Sequence, residues 1–118
     1  MITIDDFAKV ELKVGTVLEA GEVEGSDKLI KQIVDFGDEK RQVLSGIKQW
    51  YKPKDLVGKQ FIYVTNLEPK QMMGLESQAM ILATDSTKPI PISGASQVSL
   101  QPQLIKPSKK VASGTKLR

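Results

Sequence analysis

Lysine, serine and asparagine gather in three short stretches of this chain: SDKL at 26–29, LSGI at 44–47 followed by Lys48, and NLEPKQMMGLESQAM at 66–80. Ammonium groups neutralise anionic oxygens, while hydroxyl and amide groups add directional hydrogen bonds. That combination suits binding more than turnover. Each stretch also has a plainer reading. Ser26 and Asp27 can start a turn, Ser45 and Gly46 can end a strand, and one of the methionines at 72, 73 and 80 is expected to plug a barrel mouth as adaptable core. Pro69 and Gly74 argue against a long helix over 66–80 and for a loop of about eleven residues.

Composition narrows the chemistry. The chain has no cysteine and no histidine, which removes thiolate nucleophiles, Cys-ligated zinc, the commonest general base and every His-dependent triad. The fourteen acids are scattered, mostly beside lysines, with no motif pairing two of them, so catalysis is not expected, nor is a cofactor or a bound metal. Charge is unevenly spread. Residues 1–85 carry eleven basic and fourteen acidic side chains, a balance of −3, whereas residues 86–118 carry six basic and no acidic ones, a balance of +6. Such a tail fits a polyanionic partner, and equally fits a solubilising surface.

The elements that must position these stretches read as strands. VELKVGTVLEA at 10–20 starts with period-2 alternation, and Gly15 within it is expected to mark a bulge or bend. In KLIKQIVDF at 28–36, Ile30, Val34 and Phe36 share one face and Leu29 and Ile33 the other. GDEK at 37–40 turns the chain into RQVLSGI at 41–47. WYKPKDLVGK suggests a short helix with Pro53 just inside and Gly58 just beyond it; QFIYVTNL at 60–67 and AMILATD at 79–85 complete five strands. A bent first strand and a helix between strands three and four predict an all-β, five-stranded OB-fold Greek-key barrel, with its core at about 9–85.

The remainder, 86–118, holds four of the six prolines and the apolar Ile90, Ile92, Val98, Leu100, Leu104 and Ile105. It is expected to form short extra strands that wrap the barrel or meet a second subunit, so that 1–118 makes one domain of modest core size. No internal repeat is visible. No apolar run reaches the 18 to 20 residues of a membrane span, and MITIDDF lacks the features of a signal peptide, so a soluble, cytoplasmic protein is expected.

The order of motifs resembles the tRNA-binding domain family, the OB-fold module of methionyl-tRNA synthetase C-termini, free-standing bacterial tRNA-binding proteins and cytokine-like eukaryotic proteins. The resemblance runs through DFAKVELKVGTV, EGSDKL, VDFGDEKRQVLSGI, YKPKDLVGK, NLEPKQMMGLESQAM and the closing GTKLR. It implies non-catalytic binding of tRNA at its outer corner, a homodimer formed by the DFAKVEL region and the C-terminal extension, and a link to a methionyl-tRNA synthetase. Matching by motif, it implies tRNA contacts from Lys28, Ser45, Lys48, Asn66, Lys70, Ser77 and Met80, with lysines on phosphates, Ser and Asn in hydrogen bonds, and Met80 shaping the site. Aromatics at 5% are few for stacking long single strands. Glu68, Met73 and Ala79 depart from the family pattern, standing where many relatives carry a basic residue, Arg and Gly. One branch of the same family is an export chaperone, which leaves protein binding, or a purely structural dimerisation role, as alternative functions.

Overall fold

The computed structural model describes residues 1–85, 90–91, 98–99 and 101–118. β1 (Leu12–Glu22), β2 (Ile30–Asp35), β3 (Lys40–Ser45), β4 (Gln60–Val64) and β7 (Met80–Ile81) form an antiparallel sheet in the order β3-β2-β1-β4-β7. Its edges meet. Gln78 N donates to Gln42 O at 2.8 Å, and Gln42 N to the Gln78 side-chain oxygen at 2.9 Å, so the sheet curls into a nearly closed barrel. The OB-type barrel expected from the strand pattern is the observed architecture.

β1 is shared because it is long. Its first half, Leu12 to Thr16, pairs with β4, and its second, Thr16 to Glu22, pairs with β2. Gly15 sits at this handover, but the bulge lies farther on, between Val17 and Glu19. Gly15 is required instead by packing: an added Cβ would lie 2.4 Å from Val34 Cγ1 and 2.8 Å from Phe36 Cε1. Phe36 meets Tyr63 edge-on at 5.4 Å between centroids, in a core that includes Val17, Ile30, Val34, Val43, Leu56 and Phe61. The core face of β2 reads as predicted, with Ile30, Val34 and Phe36 buried. Gln32 joins it, a polar residue the alternation did not distinguish.

Three connections differ from their sequence reading. The short helix is a single 3-10 turn, Pro53–Asp55, opened by proline and followed by Gly58 at φ +82°. An unpredicted helix, Ile4–Phe7, begins at Thr3, whose hydroxyl and the Asp6 carboxylate form a capping box. Residues 66–80 are not a plain loop: β5 (Lys70–Met72) and β6 (Leu75–Ser77) form a hairpin. Its two-residue turn has Met73 at φ 51° and Gly74 at φ 78°, both left-handed as a type I′ turn demands.

The C-terminal extension is built into the barrel. Ile105 bridges Ile62 and Leu82 through its carbonyl and amide, at 2.9 and 3.1 Å, and Leu104 packs on the core. Farther on, Gly114, Thr115 and Leu117 bond the backbone of β1. Gly114 has φ +85°, and an added Cβ would come within 2.0 Å of the Phe36 carbonyl, so only glycine fits. β8 (Ile90–Pro91) and β9 (Val98–Ser99) pair with each other, as expected of short extra strands. Ile92 and Leu100, and the side chains of Ile90 and Val98, lie outside the described residues.

Candidate functional site

The three polar stretches converge on one end of the barrel. Lys48 N donates to Lys28 O at 3.0 Å, and Lys48 Nζ to Ser26 O at 3.2 Å, which ties the β3–β4 connection to the β1–β2 loop. Ser77 fastens the hairpin to β3: its hydroxyl accepts from Leu44 N at 3.0 Å and donates to Ala79 O at 3.0 Å. At the hairpin apex, Met73 Cε lies 3.4 Å from where a Cβ on Gly25 would stand. Two rigid loops and a hairpin thus face one another.

Within this convergence the two serine hydroxyls point inward, while the exposed Asn66 amide bonds backbone. Ser45 is buried, and its Oγ accepts from Gln32 Nε2 at 2.8 Å, while Tyr63 Oη donates to Gln32 Oε1 at 2.7 Å. Burial raises the Tyr63 phenol well above its ordinary value, keeping it a neutral donor. Ser77 is buried as well. Asn66 clamps the segment before β1: its Oδ1 accepts from Glu11 N at 2.8 Å and its Nδ2 donates to Lys9 O at 2.6 Å. Of the seven residues implied by the resemblance, these three hold the frame.

The other four face outward. Lys28 and Lys70 are exposed, with ammonium groups that make no hydrogen bond or ion pair among the described residues. Lys48 is half-buried and lies 3.7 Å from the Glu22 carboxylate. Met80, 47% exposed, lines a cleft of about 190 Å³ together with Leu44, Leu67, Met72 and Ala79. Glu68 and Lys70 add one charge of each sign to that cleft. No methionine of 66–80 plugs the core: Met72 and Met73 ride on the hairpin, half-buried and exposed, and Met80, on barrel strand β7, is 47% exposed.

Arg41 is the residue that sequence reasoning missed. Its guanidinium donates to the carbonyls of Thr65 and Gln78, pairs with Glu39 and stacks over Phe36 at 5.8 Å. It thereby ties the chain after β4 and the chain after the hairpin to β3, at the barrel seam. Nothing in its spacing separates it from a surface arginine at a strand start. Beside it, Thr65 donates to the Glu11 carboxylate at 2.6 Å; that bond, helped by Lys13, holds Glu11 below the ordinary value of 4.5 despite some desolvation.

Chemically, this end offers exposed ammonium groups, an apolar cleft and a rigid frame, the means to hold a shaped anionic ligand. The sequence model of the family described as "Putative tRNA binding domain" matches residues 12–116. The methionine–tRNA ligase of Methanothrix thermoacetophila is 46% identical over 118 residues, all of this chain and 16% of the ligase. The chain therefore spans about a sixth of that relative's length. Among solved structures, a MetRS related protein from Pyrococcus horikoshii is 35% identical with a TM-score of 0.84, covering 100% of this chain and 98% of that one. The chaperone CsaA from Bacillus anthracis is 29% identical with a TM-score of 0.81, covering 100% and 99%. The chain belongs to the tRNA-binding domain family.

Proposed function

We propose that the chain binds folded tRNA at its outer corner without catalysing a reaction, using the barrel end where the three polar stretches meet. The observation that carries this reading is their convergence: Lys28, Lys48 and Lys70 stand on a frame held by Ser45, Ser77 and Asn66. In this reading the lysines neutralise phosphates, Met80 supplies an apolar wall, and the three framed residues position rather than touch the RNA. A barrel end of fixed shape favours a folded ligand over a flexible one, because a flexible strand must be ordered on binding.

Filter binding at low salt tests this. Folded tRNA is expected to bind tighter than linear single-stranded RNA of equal length, with log affinity falling as log salt rises. Equal affinity for both would defeat shape recognition.

A homodimer accompanies this reading. Ile4, Phe7 and Val10 are exposed by 77%, 41% and 43%, and they border a cleft of about 500 Å³ with Leu12 and Leu117. Such a patch fits a second copy of the same surface. Sedimentation at micromolar concentration should give twice the monomer mass. The barrel and extension act as one unit, in the cytoplasm, as an appendage or companion of a methionyl-tRNA synthetase; among the described residues no helix is long and apolar enough to cross a membrane. The likeness to the chaperone CsaA favours a second reading, polypeptide binding in the methionine cleft. Unfolded polypeptide displacing tRNA would support it.

A further inference from the structure

Much of the positive charge lies at the other end of β4. Lys59, Lys106, Lys109 and Lys110 line a groove of about 320 Å³ bordered by Gly58 and Pro107. All four lysines are exposed, and none has an acid within ion-pairing distance among the described residues. Four like charges in one groove repel one another until an anion neutralises them. The loop that carries three of them is not a loose tail. Ile105 pins its start to Ile62 and Leu82, and Gln60 pins its end with two bonds to Val111, at 2.6 and 3.0 Å. The backbone that carries three of the lysines is therefore fixed at both ends before any ligand arrives.

A second cleft, of about 340 Å³, adjoins the first and shares Lys59 and Lys106 with it. Its chemistry is different. Trp50, the chain's single tryptophan, lies on it with Tyr51, whose hydroxyl donates to Pro102 O at 2.7 Å. Trp50 is 36% exposed on a turn fixed by its amide bond to Ile47 O at 3.0 Å. Asp55 also lines this part, its carboxylate accepting from Lys52 N at 3.2 Å. A carboxylate repels phosphate and accepts hydrogen bonds from base amino or imino groups, so the aromatic cleft suits a base and the lysine groove suits its phosphates.

We propose that this composite groove is a second RNA contact, holding the phosphates of an unpaired nucleotide on Lys59, Lys106, Lys109 and Lys110 and its base against Trp50. The identification of the ligand as RNA rests on the tRNA-binding reading; the groove's chemistry does not. Lys59 precedes β4 and Lys70 follows it, while Trp50 comes two residues after Lys48, so one RNA that reaches both contacts gains affinity by joining them.

Trp50 reports on its own site, because no other residue shares its fluorescence. Titrating the full chain with oligouridine should quench that fluorescence saturably. The double variant Lys59→Gln/Lys106→Gln should weaken binding roughly tenfold and lower the slope of log affinity against log salt by about 1.4, two contacts at about 0.7 each. By anisotropy of labelled oligouridine, Trp50→Leu should lose about fivefold or more, while Trp50→Phe keeps most of the affinity. Absence of quenching, identical titrations for the double variant, or equal quenching by polyglutamate would each overturn the proposal, the last by reducing the groove to a general anion surface. Lys70→Ala separates the two readings. If it leaves tRNA affinity intact, the hairpin site falls and the oligouridine result still decides this groove; if it lowers tRNA affinity while oligouridine quenching is absent, only the second contact falls.

Discussion

Ser45 and Lys70 belong to the same end of the barrel and to the same polar motif set, yet they meet opposite environments. The Ser45 hydroxyl is sealed inside with Gln32 and Tyr63, each group satisfied by the next, whereas the Lys70 ammonium stands in solvent at the start of a hairpin strand. The difference follows from side-chain length and desolvation. A short hydroxyl cannot reach past the backbone and is inexpensive to bury once bonded; an ammonium keeps its water and is carried outward on its stem. The lesson for sites of this kind is that hydroxyls and amides build the frame while long cations remain available to a ligand.

Substitutions that divide the interior from the outer face test that contrast. The largest effect is expected inside, at Gly15→Val, where the new side chain collides with Val34 and Phe36. A loss of about 3 kcal/mol by urea unfolding is expected, since the core has no room to yield. Ser45→Ala comes next, at about 1–2 kcal/mol, because Gln32 Nε2 is left without its acceptor. The surviving folded protein should bind tRNA within about twofold of wild type; a loss of binding without a loss of stability would make Ser45 a contact and break the contrast. Lys70→Ala reverses the pattern. Stability should change by less than about 0.5 kcal/mol, while tRNA affinity falls about fivefold and the salt slope drops by about 1.

The smallest effect concerns pH. Glu11 is held below its ordinary value of 4.5 by the Thr65 hydroxyl and the Lys13 charge. A carboxyl depressed on folding stabilises fully above the unfolded value, and that contribution is lost as pH falls through the folded one. Glu11→Gln should therefore lower the urea midpoint slightly at pH 7 and not below the folded value. An equal deficit at every pH would attribute the effect to packing.

How much was legible varied with the physics of each element. The strands were readable because period-2 alternation is a direct record of which face is buried, as Ile30, Val34 and Phe36 demonstrate. The hairpin at 70–77 was not, since Met73 gives no turn signal: left-handed turns are read from Asn or Gly, and here a methionine occupies φ 51°. The Thr3 capping box was visible in principle as Thr-x-x-Asp, although four residues of helix leave almost no periodicity. Gly15 does stand at the handover of β1 from β4 to β2, but not at the bulge, and the close packing that demands a glycine there comes from residues distant in sequence. Motif order pointed to stretches that meet in the fold, and within each stretch residue type alone did not tell buried from exposed.

By itself, then, the amino-acid sequence determined the barrel class, the family, the absence of histidine and cysteine chemistry and the charge asymmetry, because these depend on pattern and composition alone. Tertiary structure decided which polar groups face inward, that Arg41 bonds at the seam, and that the basic residues of the tail divide. Lys106, Lys109 and Lys110 join Lys59 beside Trp50, while Lys116 and Arg118 border the apolar N-terminal cleft. Those outcomes depend on residues 13 to 51 positions apart meeting across a nearly closed sheet, and no local spacing encodes which side of that sheet a flexible side chain will take.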